Sequence, residues 1–166
     1  METGFLIVGA ILATYGWYWG GVTESRTTAY AMGVGSLMLG LAFAFNGGGD
    51  VVLDSVFAFG AIFGFLATAN AWNESSQDRT YGMFALLFGV VAFFGFSYLV
   101  DISAPGQFSI GALLAAVTMI LHFISAALVP TNRGFKSVVG WATLIVGVAL
   151  VYFAFADALG SNIDPL

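Results

Sequence analysis

The chain has 166 residues: 60% are hydrophobic, 22 are glycine, and only 4 basic and 9 acidic side chains stand against them. A soluble domain carries about 25% charged residues; here the share is 8%, and the net charge is −5. With a mean hydropathy of +0.96, the composition excludes a water-soluble globule and a separate soluble catalytic domain, and points to an integral membrane protein.

Apolar runs of about 20 residues, the length a spanning helix needs, recur between short polar breaks. In chain order they are Gly4–Val22, Thr27–Phe45, Val51–Trp72, Thr80–Val100, Phe108–Val129 and Ser137–Ala156. The breaks are Thr23–Arg26, Asn46–Asp50, Asn73–Arg79, Asp101–Gln107 and Pro130–Lys136. No run alternates apolar with polar residues, so a β-barrel is not expected. The expected fold class is an all-α integral membrane protein, a single transmembrane domain over 1–166 with six helices.

The four basic residues set the orientation. Arg26, Arg79, and Arg133 with Lys136 fall in the first, third and fifth breaks, while Glu2, Asp50, Asp54, Asp101, Asp157 and Asp164 fall on the opposite side. The positive-inside rule places the basic loops in the cytoplasm and both termini outside, in a plasma (inner) membrane. Met1-Glu2-Thr3 leads directly into an apolar run, and no removable signal peptide is expected. The absence of Cys and the single His exclude disulfides, thiolate chemistry and a His-based metal or haem site within one chain, and no cofactor is expected. Four basic residues also make neither a nucleic-acid footprint nor a polybasic lipid patch.

The spacing contains a repeat. Arg26, Arg79 and Arg133 are 53 and 54 residues apart, and Gly9-Ala10-Ile11-Leu12, Gly60-Ala61-Ile62-Phe63 and Gly111-Ala112-Leu113-Leu114 recur at intervals of 51. Each following helix carries two glycines seven apart: Gly33/Gly40, Gly82/Gly89 and Gly140/Gly147. Three hairpins, at about 4–45, 51–100 and 107–156, are therefore expected around a pseudo-threefold axis, with Gly9, Gly60 and Gly111 as equivalent helix-packing positions. The same register puts Leu12, Phe63 and Leu114 at one level around that axis.

The layout resembles the urea and short-amide channels of the UreI/AmiS type. Leu6 to Leu12 followed by Tyr15-Gly16 is similar to that family's opening helix, which has Asn-Gly at the last two positions. Gly60-Ala61-Ile62-Phe63-Gly64-Phe65, then Asn73, Asp78, Arg79 and Tyr81, resembles its Phe-Gly-Phe-Thr-Tyr helix and the Asp-x-Arg loop after it. The resemblance implies three repeated hairpins, six protomers in a ring, and passage of a small neutral solute with Phe63 lining the path. The chain departs from the acid-gated members. Its fifth helix has Leu114 and Thr118 where tryptophans are expected, and its sixth has Val146 in place of a Glu. Proton gating is therefore not expected.

Five residues are the candidate pore lining: Leu12, Tyr15, Phe63, Leu114 and Thr118. Thr14 and Thr118 are expected to bond back to their own helix carbonyls, and Asn70 and Asn73 to cap a helix or hold a loop. Trp17, Trp19 and Trp72 read as an aromatic belt at the interface. His122 is the one ionisable side chain deep in a span, with no carboxylate in any span to relay a proton to. Gly47-Gly48-Gly49 lacks the lysine and the strand-to-helix context of a phosphate loop, and no paired carboxylates or catalytic set lie at usable depth, so no enzyme is expected. The expected function is passive permeation of urea or a short aliphatic amide by a homo-oligomer in contact with lipid. The rival is a non-conducting subunit of a larger membrane assembly. A third reading, the acetate/succinate transporters, lacks its Asn-Pro-Ala-Pro-Leu signature.

Overall fold

The computed structural model describes residues 1–46, 49–74 and 78–160. Asp164 and most of the Gly47–Gly49 connection lie outside them. Within them the fold is all-helical: α1 (Glu2–Trp19), α2 (Ser25–Asn46), α3 (Val51–Trp72), α4 (Asp78–Asp101), α5 (Gly106–Phe123) and α6 (Arg133–Ala158). A π-helical turn, Ile124–Leu128, continues α5.

Local chemistry sets the ends. The Asp50 carboxylate accepts from the Val52 and Leu53 amides at 3.0 and 3.1 Å and starts α3, a side-chain cap for otherwise orphan donors. Asn132 starts α6 in the same way, accepting from Phe135 N–H at 3.0 Å. After α1 the chain reverses at Gly21, whose φ of +82° only glycine adopts without strain.

Each helix packs against its neighbours in sequence, and α6 returns to α1, so the six form a closed ring. The most extensive contacts are α6 with α1, α4 with α5, and α2 with α3. These join successive hairpins rather than the two arms of one. Glycine explains it. A Cβ on Gly9 would lie 2.8 Å from the Gly147 carbonyl, Gly147 abuts the Ala13 backbone, and Gly140 abuts Trp19 and Gly20. Gly82 and Gly89 likewise face Ala126–Ala127 and Met119, with Cβ positions 3.0 and 3.2 Å away, while Gly33 and Gly40 face Thr68 and Ala61 more loosely, at 3.4 and 4.0 Å. Backbones approach closely only where side chains are absent. Gly111 meets Leu150, as Gly9 does, whereas Gly60 has only ordinary contacts to Leu39 and Phe88 at 3.5 Å.

Polarity is distributed as lipid demands. Val34, Leu37 and Leu41 of α2, Leu87, Phe93 and Phe94 of α4, and Ile145, Val148 and Phe155 of α6 are exposed, while Ser36, Asn70, Gln107, Thr118, His122 and Thr143 are buried. Five helices, α2 to α6 (α5 with its π turn), are long and apolar enough to cross a membrane. The protein is thus a multi-pass membrane protein whose outer faces contact lipid. α1 falls short of the others because its 18 residues end in Tyr15, Trp17, Tyr18 and Trp19, which lower its hydropathy.

Candidate functional site

Two ends of the ring differ in chemistry. At the basic end, α1, α3 and α5 finish and α2, α4 and α6 begin; at the acidic end the reverse holds. Near the basic end, residues from five helices converge on the ring's interior.

Asn70 on α3 donates one amide hydrogen to the Tyr15 hydroxyl at 3.0 Å and the other to Asp78 Oδ1 at 2.9 Å. Asp78 Oδ2 accepts from Lys136 Nζ at 2.6 Å. A carboxylate only accepts, so the Asn70 amide is oriented with its nitrogen toward Asp78 and its oxygen away. Lys136 also lies 4.7 Å above the Trp19 ring.

A second string of bonds crosses α4, α5 and α6. His122 Nε2 lies 2.7 Å from Thr143 Oγ1, and Nδ1 lies 3.1 Å from the Tyr81 hydroxyl. Thr143 gives its proton to the Val139 carbonyl at 2.7 Å. It therefore accepts from His122, which assigns the neutral tautomer with hydrogen on Nε2 and makes Tyr81 the donor to Nδ1. The two strings meet where Tyr15 faces Tyr81, ring centroids 5.1 Å apart. Trp19 covers His122 at 4.3 Å, and Tyr15 stacks on it at 5.6 Å. The layer is rich in hydrogen-bonding atoms, and among the described residues its formal charges are those of the Lys136–Asp78 pair at the rim.

Of the five pore candidates, Leu12, Tyr15, Phe63 and Thr118 are buried, while Leu114 is half-buried against the same core. Phe63 stacks on Phe88 at 5.0 Å and lies 5.5 Å from Tyr81, so rings fill the core at this level. Thr14 and Thr118 bond back to Ala10 and Leu114, at 2.8 and 2.7 Å, as expected. Asn73 ends α3 and bonds the Ala69 carbonyl at 2.9 Å.

One expectation needs correction, and two gain detail. Trp19 is not a belt residue: it is 4% exposed, held between His122 and Lys136, whereas Trp17 and Trp72 are 43% and 48% exposed. Asn70 holds the α3–α4 connection through Asp78, the first residue of α4, and is also buried and bonded to Tyr15 of α1. His122, read as an ionisable side chain deep in a span, bonds neighbouring helices through the hydroxyls of Tyr81 and Thr143. Thr143 carries no signal in the sequence; Asp78 and Lys136 open two helices on the same side, beside Arg79 and Arg133, and their pairing follows only from the packing of α4 and α6.

Cavities lie to either side of the layer. One of about 360 Å³ at the basic end is lined by Trp19, Gly20, Glu74, Arg133 and Lys136. A small one of about 30 Å³ between α3 and α4 reaches Asn70 and Tyr81. At the acidic end a cavity of about 450 Å³ is lined by Thr3, Leu39, Asp50, Asp54 and Phe57. Among the described residues no three His, Cys, Asp or Glu side chains are grouped to hold a metal. Comparison with protein families, with characterised proteins and with solved structures returns no match.

Proposed function

We propose that the protein is a passive membrane channel for a small neutral polar solute, such as urea or a short aliphatic amide, in a closed state. In this reading all six helices cross a plasma (inner) membrane, both termini lie outside, and three hairpins repeat around the ring axis. A homo-oligomer, a hexamer by the resemblance to the UreI/AmiS-type channels, completes it. One observation carries the reading: a layer of hydrogen-bonding side chains is buried at the ring's interior between cavities at both ends. Burying polar groups in lipid costs free energy, so polar and ionisable side chains inside a membrane bundle point to function by default. A lumen of rings and hydroxyls strips hydrated ions at high cost, yet offers a flat neutral solute replacement hydrogen bonds. The glycine pairs, each turned to the first helix of the next hairpin, support the repeat.

The rival reading, a non-conducting subunit, is favoured by the filled level at Phe63 and Phe88. Flux separates the two. Purified protein in proteoliposomes is expected to pass urea and acetamide faster than protein-free vesicles, and Leu114→Trp, which enlarges a half-buried core position, to slow it. Flux equal to that of empty vesicles, with the protein folded, makes the non-conducting subunit the better reading.

A further inference from the structure

Two buried groups in the layer have opposite and unspent hydrogen-bonding capacity. The Asn70 carbonyl oxygen, turned away from Asp78 and Tyr15 by its own amide nitrogen, accepts no hydrogen bond. The Trp19 indole N–H is buried without a hydrogen-bond partner, its ring packed 5.5 Å from that of Tyr15. Asn70 is 1% exposed and Trp19 4%. Leaving a buried acceptor or donor unsatisfied is costly, and a native fold retains such groups where something else binds.

Asn70 is bonded to the Tyr15 hydroxyl and Trp19 packs on the Tyr15 ring, so an acceptor, a donor and a group able to do both lie in one layer. The large basic-end cavity stops at Trp19, and the small cavity stops at Asn70. We infer that Asn70, Tyr15 and Trp19 form a binding station for a neutral molecule carrying an N–H donor beside a carbonyl acceptor, the chemistry of urea and primary amides. The solute N–H is received by the Asn70 oxygen and the solute carbonyl by the Trp19 N–H, with Tyr15 completing whichever bond remains. Lys136 and Asp78 act through others: Asp78 fixes the Asn70 amide and Lys136 covers the Trp19 ring. The station rests on the channel reading for its role in transport, but its binding is measurable without transport.

Trp17, Trp72 and Trp141 are exposed, so replacing them by Phe leaves Trp19 as a single fluorescent reporter in the folded protein. Acetamide is expected to shift Trp19 emission saturably, and N,N-dimethylacetamide, which lacks an N–H, is not. Asn70→Leu is expected to weaken the acetamide response roughly 3- to 10-fold, the loss of one hydrogen bond. In the otherwise unaltered chain, Trp19→Phe keeps a ring between His122 and Lys136 and is expected to lower acetamide flux by a similar factor. No shift with acetamide, or equal shifts with both amides, overturns the station and leaves a site for water alone. Should Asn70→Leu fail to fold, the comparison of the two amides still decides. Saturable binding with no flux keeps the station and removes the channel reading; flux indifferent to Asn70 and Trp19 does the opposite.

Discussion

At the residue scale, one ion pair joins the starts of α4 and α6 at the basic end. Lys136 and Asp78 meet at 2.6 Å with side chains 21% and 12% exposed, and the same carboxylate holds Asn70. Removing the ammonium leaves a largely buried carboxylate with less compensation than before. Lys136→Met is therefore expected to cost about 1–3 kcal/mol, the range for a buried polar group losing a partner. The double variant Lys136→Met with Asp78→Asn should recover part of it, because no lone charge remains. Thermal unfolding in detergent reads both; a single variant as stable as the parent would place the pair among the many ion pairs that contribute nothing. At the acidic end Asp50 does different work. Its carboxylate accepts from the Tyr98 hydroxyl at 2.6 Å as well as from two amides of α3, and these bonds, Tyr98 first, hold its pKa below the ordinary 3.8. A depressed carboxylate pKa stabilises the fold fully above about 3.8 and loses that contribution as pH falls through the folded-state value. Melting temperature measured from pH 6 downward should fall less steeply below about pH 4 for Asp50→Asn than for the parent. Parallel curves would show that the carboxylate charge adds nothing.

At the element scale, the helices meet where glycine lets them, and the cost of adding a side chain should follow the space available. Gly147 lies against the Ala13 backbone, with the Gly9 carbonyl 2.7 Å from where a Cβ would stand. Neither neighbour is a side chain that can turn aside. Gly147→Val is expected to cost at least about 3 kcal/mol through overpacking, read as a lower melting temperature or loss of folded protein. Gly60→Ala, whose Cβ would make ordinary 3.5 Å contacts, should stay within about 1 kcal/mol, helped by the better helix propensity of alanine. Equal effects at the two positions would refute a distance-governed interface. The contrast also shows how far the sequence could be read. The helices themselves were legible because apolar runs and polar breaks report the bilayer directly, and α3, at Val51–Trp72, has the expected bounds. Glycines seven apart identified a close-packing stripe but not its partner, since a stripe on one helix carries no information about which neighbour fills it. The same limit hid the site. Whether Trp19 is a belt residue or a core residue depends on Lys136 and His122, 117 and 103 residues further along. Asn70 similarly owes its burial to α1 and α4.

At the scale of the whole molecule, α1 is expected to cross the bilayer beside the five membrane-length helices. Its 18 residues make a rod of about 27 Å at 1.5 Å per residue, close to the roughly 30 Å hydrocarbon thickness. Its packing gives a second argument. Gly9 meets Gly147, and Gly16 meets Gly140 and Leu144, so α1 runs antiparallel to α6 over at least two turns. α6 is one of the five membrane-length helices, and a helix aligned with it in that register occupies the same depth. The positive-inside rule then predicts an orientation: four basic residues lie at one end and none among the described residues at the other. Because the chain has no cysteine, single cysteines introduced at Thr3, Ser25 and Ser103 report each side without background. Ser103 lies exposed after α4 at the acidic end, Thr3 is exposed at the start of α1, and Ser25 begins α2 at the basic end. A membrane-impermeant maleimide applied to intact cells should modify Thr3→Cys and Ser103→Cys, and Ser25→Cys only after permeabilisation. The reverse pattern would invert the protein in the membrane. Labelling of Ser103→Cys alone would leave Thr3 on the same side as Ser25, and would mean that α1 packs into the ring without crossing.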